Sequence, residues 1–203
     1  MKIINCEQGS DLWLQSRLGV CSASRFKDVL SKGRGGSPSK TRQSYLYQIA
    51  AEIITGQAQD LYTNDAMQWG TDNEPKARSM YEHLEGVEVE QVGFVLHSHR
   101  VGVSPDGLVG DKGLVEFKCP KTTTQIARVL EGVFPSEYKA QVQGQLWVCQ
   151  REWTDFISFD PRITTDAGYF KIRVERDDVY IKELETKINE FLVDLDDVLE
   201  KVK

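Results

Sequence analysis

The stretch that decides the fold is Ser104-Pro-Asp-Gly-Leu-Val-Gly-Asp-Lys-Gly-Leu-Val-Glu-Phe-Lys118. Its two apolar segments lie on either side of a Gly-Asp-Lys-Gly turn, which predicts a β-hairpin. Residues i and i+2 of a strand project to the same face. Glu116 and Lys118 should therefore project together, while Phe117 points into an apolar layer, and the hairpin should place Asp106 beside them. We expect two carboxylates and one ammonium on one polar face of a sheet.

These side chains suit the hydrolysis of a phosphodiester. Hard carboxylate oxygens bind Mg²⁺, which takes few protein ligands and keeps several waters. The metal lowers the pKa of an attacking water, neutralises charge on the phosphoryl oxygens and stabilises the leaving group. Lys118 close to that water can orient or deprotonate it, and the backbone carbonyl of Phe117 is within reach of the metal. The stretch therefore predicts a magnesium-dependent nuclease site.

A plainer interpretation competes with this one. The pattern D-x₉-E-x-K is short, and a surface hairpin with solvated charges would also carry it. Two observations favour the catalytic interpretation. Lys118 is followed by Cys-Pro, so the charged pair leads into an abrupt break. In addition, Glu74 and the helix face of Tyr138, Gln141 and Gln145 supply polar groups that an apolar core would not accommodate.

Length and composition indicate one domain over residues 1–203, with 40% hydrophobic and 28% charged residues. The four cysteines are scattered without a CxxC pair, which favours reduced thiols in a cytoplasm over a disulfide framework or a zinc site. No apolar run approaches the roughly 20 residues that a membrane-spanning helix needs. The N-terminus has no long apolar segment of the kind found in secretory signals. We expect a cytoplasmic protein that does not contact membranes.

The net charge of −6 argues weakly against a general nucleic-acid binder. The distribution of charge weakens that objection. Residues 17–42 carry seven basic side chains against Asp28 alone, whereas residues 175–203 are rich in Asp and Glu. A local basic surface on an acidic body can hold a polyanion. Overall charge therefore leaves nucleic acid open as a substrate.

Hydrophobic periodicity predicts helices first and then a sheet crossed by one helix, an α/β arrangement in a single domain. The expected helices cover residues 10–18, 23–30, 41–55, 64–84 (kinked or restarted at Pro75), 136–149 and an amphipathic terminal segment with Ile181, Leu184, Ile188, Phe191, Leu195, Val198 and Val202 in the core. The expected strands cover residues 87–96, 101–103, 108–109, 114–119, 153–159 and 169–174. Residues 33–39 should form a mobile loop.

Several blocks of the sequence match one known family. They are Trp13 with Arg17-Leu-Gly-Val, Ala23-Ser24, Trp69-Gly70 with Glu74, Ser104-Pro-Asp-Gly-Leu, Glu116-Phe-Lys-Cys-Pro, Tyr138-Lys-Ala-Gln-Val-Gln, and Asp160-Pro-Arg. In these blocks, which follow one order along most of the chain, the protein resembles the phage lambda exonuclease family, the YqaJ-type viral recombinases of the PD-(D/E)xK nuclease superfamily. The resemblance implies an α/β core of the restriction-endonuclease type, with a central mixed sheet flanked by helices.

The resemblance also implies an activity. It is that of an alkaline exodeoxyribonuclease that uses Mg²⁺, with Mn²⁺ as a substitute and two ions in each site. Such an enzyme binds double-stranded DNA ends and digests one strand 5′→3′ to 5′-mononucleotides. A 3′ single strand remains for recombination by a single-strand annealing protein. In that family three subunits form a ring around the DNA, which implies a homotrimer here.

Roles are carried over only to the residues that match. The metal ligands implied by the resemblance are Asp106, Glu116, Glu74 and the Phe117 carbonyl. The residues implied to act on the water are Lys118 and Gln141, and those implied to bind the 5′-terminal phosphate are Arg17, Ser24 and Ser104. Further contacts with DNA are expected from Trp13, Lys40, Arg42 and Tyr138. Trp13 is the tryptophan in a polar segment and therefore a candidate for base stacking.

The sequence also departs from the pattern of the family. After Lys118-Cys-Pro, three threonines from Thr122 replace a stretch that contains arginine, and Arg25 stands where an acidic residue is found. Two other functions therefore stay open. A PD-(D/E)xK endonuclease of the resolvase or restriction type would share the metal site without needing Arg17 and Ser24 at a blocked 5′ end. A non-catalytic DNA-binding module would tolerate loss of the carboxylates, yet the set is complete.

Two other features have ordinary explanations. Residues 33–41 superficially resemble a phosphate-binding loop, but their glycine and lysine positions do not match that motif, and a helix rather than a buried strand precedes them. His97 and His99 lie two positions apart on a strand end without a nearby acidic ligand, which is typical of a surface pair. Neither feature predicts a second functional site.

Overall fold

The computed structural model describes residues 1–36, 39–59 and 64–202. Within these ranges the helices are α1 (Asp11–Arg17), α2 (Phe26–Val29), α3 (Lys40–Thr55), α4 (Asp65–Glu85), α5 (Thr122–Glu131), α6 (Lys139–Cys149) and α7 (Asp178–Val202). The strands are β1 (Lys2–Ile4), β2 (Cys21–Ser22), β3 (Val89–Glu90), β4 (Phe94–Ser98), β5 (Val101–Val103), β6 (Gly107–Val109), β7 (Gly113–Lys118), β8 (Trp153–Phe159) and β9 (Tyr169–Glu175). Ser37 and Pro38 of the predicted mobile loop lie outside the described residues.

The described strands form two mixed sheets, with strand orders β1-β4-β5-β2 and β3-β6-β7-β8-β9. The pairs β2–β5 and β7–β8 are parallel, and the other pairs are antiparallel. Helices flank both sheets, so the α/β class with mixed sheet is confirmed. Helix α6 contacts β4 and β5 of one sheet and β8 of the other, and it is buried along most of its length.

The predicted hairpin is present as β6 and β7. Gly107 pairs with Val115 and Val109 pairs with Gly113 around a turn in which Gly110 has φ 53°. A positive φ is readily adopted by glycine, which explains the residue at this turn. Strand β7 lies between β6 and β8, and its residues before Lys118 are buried. The stretch that carries the carboxylates is therefore a central, rigid part of the larger sheet.

The two faces of the larger sheet pack against different helices. On one face, Ala77 and Tyr81 of α4 pack with Phe117 and Ile157, which confirms that Phe117 points into an apolar layer. On the other face, Leu114 belongs to a core that also contains residues of α6 and α7. The terminal helix is packed in the core as predicted, although Val202 is exposed and Leu199 is buried in its place at the end of the stripe.

Three predicted elements differ in detail. The helix expected at 23–30 is a 3₁₀ turn at Ala23–Arg25 followed by the short α2. Helix α4 continues through Pro75, which lies on the exposed side, where water can reach the carbonyl one turn earlier. The strand expected at 87–96 is divided into β3 and β4 of different sheets. A Cβ at Gly93, between them, would lie 2.4 Å from the carbonyl oxygen of Cys6, so the N-terminal segment crosses there.

Strands β1 and β2 and helix α5 were not predicted. Helix α5 begins with three threonines, which favour helix weakly. Its buried side chains are Gln125 and Arg128, whereas Ile126 and Leu130 are exposed, so its pattern does not mark the core. No helix in the described ranges is both long enough and apolar enough to cross a membrane.

Candidate active site

The site begins where the pairing of β6 with β7 ends. Asp106 and Glu116 are the next residues after the pair Gly107–Val115, and the backbone N–H of Phe117 donates to Oδ2 of Asp106 at 2.7 Å. The N–H and C=O of one strand residue point towards the same neighbouring strand. The Phe117 carbonyl therefore projects towards Asp106. The Asp106 side chain and the Phe117 carbonyl thus place oxygen atoms on one side of the strand end.

Glu116 is fully buried and is held by polar groups. Its Oε1 bonds with Nζ of Lys118 and accepts from Nε2 of Gln141 at 2.5 Å. Its Oε2 accepts from Nε2 of Gln145 at 2.7 Å. The expectation that Glu116 and Lys118 project together is confirmed. Gln141, which the resemblance assigned to the attacking water, thus lies at the same carboxylate.

Glu74 reaches the site from α4, where it forms an ion pair of 3.0 Å with Arg78. Burial raises the pKa of Glu74, the charge of Arg78 lowers it, and the charge of Glu116 raises it further. Within the described ranges, no three Asp, Glu, His or Cys side chains already surround a single metal position. The carboxylate of Glu74 thus bonds to Arg78 and is close enough to Glu116 and Lys118 to interact with their charges.

The pKa shifts indicate an excess of negative charge. Burial and then the charge of Glu116 raise the pKa of Asp106 well above its usual range. For Lys118, burial alone would lower the pKa, but the carboxylates of Glu116 and Asp106 raise it above its ordinary value. The ammonium of Lys118 is thus the positive charge that pairs with Glu116. An all-oxygen set of carboxylates and a carbonyl around a negative centre fits Mg²⁺.

The predicted phosphate-binding residues lie next to the carboxylates. Nε1 of Trp13 donates to Oγ of Ser104 at 2.8 Å, and an N–H of Arg17 donates to the same Oγ at 3.4 Å. The Arg17 guanidinium stacks 4.2 Å from the Trp13 ring centroid. Burial lowers the pKa of Arg17, while Tyr45 and Glu52 oppose the shift. Ser104 precedes Asp106 by two residues, so the residue that Trp13 and Arg17 contact lies in the same segment as Asp106.

A cleft of about 1010 Å³ lies beside these groups. Trp13, Arg17 and Ser24 line it, and Glu74 is the predicted metal ligand on its wall. Ser24 is exposed, and its hydroxyl lies 3.3 Å from that of Ser22. Arg25, one of the departures from the family pattern, lines the same cleft and forms an ion pair with Asp28.

The other predicted DNA contacts divide into two groups. Tyr138 lies at the site, with its ring centroid 5.2 Å from Nζ of Lys118. Lys40 is exposed at the start of α3 and does not line the cleft. Arg42 forms an ion pair of 2.7 Å with Asp194 of α7, so its charge is engaged within the protein. The structure does not bring Lys40 or Arg42 to the carboxylates, and their contact with DNA stays a prediction.

Two residues of the site were given no role by the sequence analysis. Gln145 was recognised as a polar residue on the same helix face as Gln141, and its spacing of four from Gln141 was the signal for a shared target. Arg128 is buried on α5, donates to Oγ of Ser158 at 2.9 Å and to the Tyr138 hydroxyl at 3.0 Å, and thereby fixes Tyr138. Since α5 itself was missed, the sequence offered no comparable signal for Arg128.

The fold and the site define a protein of the nuclease type. The sequence matches the YqaJ-like viral recombinase domain over residues 12–155, and the chain belongs to this family. The predicted family is thereby confirmed. The chain is 40% identical to the alkaline exonuclease LHK-Exo of Laribacter hongkongensis, with a TM-score of 0.88 over 95% of this chain and 96% of that one. Homology to this enzyme confirms the predicted class, a nuclease.

Further comparisons extend the likeness. The structure of LHK-Exo in complex with dAMP superposes with a TM-score of 0.89 over 96% of each chain, at 40% identity. A phage-related exonuclease from Haemophilus somnus 129PT has a TM-score of 0.74 over 91% of this chain and 96% of that one, at 15% identity, which indicates a shared fold. ExoD of Escherichia coli K12 is 28% identical over 67 residues, 33% of this chain and 76% of that protein.

Proposed function

We propose that the protein is a Mg²⁺-dependent 5′→3′ exonuclease of linear double-stranded DNA. It releases 5′-mononucleotides and leaves a 3′ single strand. The observation that carries the proposal is the contact of Trp13 and Arg17 with Ser104, two residues before Asp106. A group that can bind a terminal phosphate is thereby fixed beside groups that can hold a metal. The homologous LHK-Exo binds dAMP, which supports a mononucleotide product.

The residues have distinct tasks in this proposal. Asp106, Glu116 and the Phe117 carbonyl would hold the metal, and Glu74 would join them in a site for two ions. Mg²⁺ or Mn²⁺ held there supplies positive charge for the phosphoryl oxygens and lowers the pKa of an attacking water. Lys118 and Gln141 orient that water. A bound divalent cation would offset the charges of Glu116 and Asp106 and so lower the pKa of Lys118. Having released its own proton to solvent, a neutral Lys118 could then take the proton of the water.

In this proposal the 5′-terminal phosphate binds to Arg17, which Trp13 and Ser104 contact. A guanidinium can bind a phosphate through two parallel hydrogen bonds, which a 5′-hydroxyl end cannot accept in the same way. The stacked Trp13 ring and the Ser104 hydroxyl hold Arg17 in position, and Ser24 and Arg25 line the same cleft. The scissile phosphodiester then lies towards Asp106 and Glu116. This order of sites supports digestion that starts at a 5′ end.

The polarity is tested with a linear duplex that carries a phosphate on one 5′ end and a hydroxyl on the other. We expect the wild type to release mononucleotides first from the phosphorylated strand. Arg17→Ala should slow that strand and bring the two rates together. Arg100→Ala, whose guanidinium pairs with Asp196, is the control and should keep the preference. If Arg17→Ala kept the full preference, Arg17 would be a structural residue and the assignment would be wrong.

We further propose a closed homotrimeric ring around the DNA. One apolar surface is formed by Ile126, Leu130 and Val133, which are 46%, 81% and 57% exposed. The other is a groove of about 520 Å³ on α4 that Met80 and Phe159 line. Apolar surfaces of this kind mark sites of association. The groove also contains Lys76, and Glu131 stands beside Leu130, so one pair of opposite charges could meet across the contact.

The two surfaces lie on opposite faces of the larger sheet. Ser158 bonds to Arg128 of α5, whereas Ile157 and Phe159 belong to the core under α4. Consecutive strand residues point to opposite faces. A contact between the surface on one copy and the groove on the next therefore runs head to tail. Such contacts close into a ring or continue as a filament, and a ring is the form that encloses a duplex.

The product suggests the partner and the place of action. A 3′ single strand is the substrate on which a single-strand annealing protein loads, and the chain belongs to a family of viral recombinases. Direct contact with such a protein would deliver the strand as it forms. We propose that the protein acts in the cytoplasm of a bacterial host, where its four free cysteines stay reduced.

A further inference from the structure

Helix α6 presents two glutamines to one carboxylate. Gln141 and Gln145 are one helical turn apart, and each donates to a different oxygen of Glu116, at 2.5 Å and 2.7 Å. Gln145 is the more enclosed of the two, with 1% of its surface exposed. Its amide nitrogen also lies 3.5 Å from the Ser104 carbonyl. Gln145 thus connects Glu116 to Ser104, the residue that Trp13 and Arg17 contact.

The two oxygens of Glu116 have different neighbours. Oε1 is shared by the ammonium of Lys118 and the amide of Gln141, whereas Oε2 bonds to Gln145. Lys118 and Gln141 are half-buried and can move when a cation approaches. Gln145 is enclosed in α6 between the two sheets and cannot move in the same way. Oε2 is therefore the fixed end of the carboxylate and Oε1 the end that can exchange its partners.

We propose that Gln145 is a positioning residue that anchors Glu116 through Oε2 and so presents Oε1 to the metal. This inference rests on the proposed function, because it gives Glu116 a metal to hold. Groups that orient a metal ligand typically change metal affinity or activity by about 10- to 100-fold when they are removed. The Gln145 amide bonds to Glu116 and lies near the Ser104 carbonyl, so its effect should be on metal binding before it is on turnover.

The chain offers a matched control on the same helix. Gln143 is also 1% exposed, donates to the Glu175 carbonyl at 2.8 Å and accepts from the Asp177 N–H at 2.9 Å. The variants Gln145→Met and Gln143→Met each remove buried hydrogen bonds and preserve the length of the side chain. Both should therefore lower the thermal midpoint. Only Gln145→Met should alter the response to Mg²⁺.

The test uses the full chain and Mg²⁺ alone, without DNA. Titration calorimetry gives the Mg²⁺ dissociation constant, and thermal unfolding gives the stabilisation by Mg²⁺. We expect Gln145→Met to weaken binding about 10-fold or more, and Gln143→Met to leave it within about twofold of wild type. Gln145→Asn, which keeps an amide on a shorter side chain, should lie between Gln145→Met and wild type and serves as the variant if Gln145→Met does not fold.

The outcomes separate this inference from the proposed function. If the wild type neither binds Mg²⁺ nor digests linear DNA, the proposed function fails. If the wild type does both and Gln145→Met and Gln145→Asn bind Mg²⁺ as tightly as wild type, only the role of Gln145 is wrong. Equal weakening by Gln143→Met would also overturn it, because a general loss of helix packing would then explain the effect.

Discussion

Three carboxylates, those of Asp106, Glu116 and Glu74, are close enough to influence one another's ionisation. Lys118 forms an ion pair with Glu116. Burial first, and then the charge of Glu116, raises the pKa of both Asp106 and Glu74, so the ionised carboxylates are disfavoured in this site. This is the arrangement expected of a site that is completed by a metal. The same shifts have consequences for turnover and for stability.

Removing any of three charges should nearly abolish hydrolysis. We expect Asp106→Asn, Glu116→Gln and Lys118→Met each to lower turnover by more than the roughly 10²-fold of a single proton-transfer group, because they also remove metal binding or orientation of the water. Digestion of end-labelled duplex measures this loss. Asp111→Asn, an exposed carboxylate in the turn of the same hairpin, should digest at the wild-type rate. A variant that keeps more than about a tenth of wild-type turnover would remove its residue from the mechanism.

The raised pKa of Asp106 also predicts how stability depends on pH without metal. The native state holds this proton more tightly than the unfolded chain, so the contribution is complete below the unfolded pKa of about 4 and is lost as pH rises through the raised value. In EDTA at pH 8, Asp106→Asn should therefore unfold at a higher temperature than wild type, by roughly 2–4 °C for each kcal/mol.

The gap should close towards pH 4, and added Mg²⁺ should stabilise the wild type more than the variant. Asp111→Asn is again the control, and its midpoint should follow that of wild type at every pH. A wild type that is more stable than Asp106→Asn in EDTA at pH 8 would contradict the charge crowding. The same ionisation makes metal binding, and with it activity, favour alkaline over acidic pH.

Among the elements, the hairpin of β6 and β7 was predictable and helix α5 was not. The hairpin is local: a turn sequence and alternating residues place Glu116 and Lys118 on one face without knowledge of the rest of the chain. Helix α5 has polar residues inside and apolar residues outside, because Gln125 and Arg128 bond to Ser158 on the neighbouring strand. A pattern of hydrophobic residues cannot reveal a helix whose buried face is polar.

The residues of the site likewise include some that were predictable from local sequence and some that were not. Local spacing predicted the carboxylates and the lysine, whereas the link from Trp13 and Arg17 to Ser104 spans about ninety residues and came from resemblance to the family. The split between β3 and β4 depends on the close approach of Cys6 to Gly93, a contact between distant segments. Periodicity describes one element at a time and carries no information about such contacts.

The exposed surface of α5 supports a prediction about assembly. Leu130→Glu places a carboxylate where the proposed head-to-tail contact is apolar, so we expect the oligomer to dissociate to the 23.0 kDa chain in light scattering. Val193→Glu is the control, since Val193 is also exposed, at 61%, but lies on α7 away from both surfaces. If the Val193→Glu oligomer dissociated and the Leu130→Glu oligomer stayed intact, the interface would lie elsewhere.

At the scale of the whole molecule, the question is how a protein of net charge −6 stays on DNA. The cleft contains Arg17, Arg25 and Arg78 together with Glu7, Glu52 and Glu74, on a body whose terminal helix is rich in Asp and Glu. Enclosure by a ring would replace the large basic surface that other DNA-binding proteins use. A protein held by enclosure and by the 5′ end needs a free DNA end to begin.

Incubation with Mg²⁺ and two forms of one DNA sequence tests this central claim most directly. One form is a linear duplex with 5′-phosphates, and the other is the same duplex as a covalently closed circle. The account predicts that the linear form is digested to mononucleotides while the circle stays intact over the same time. Cleavage of the circle would contradict it and would make the protein an endonuclease built on the same carboxylates.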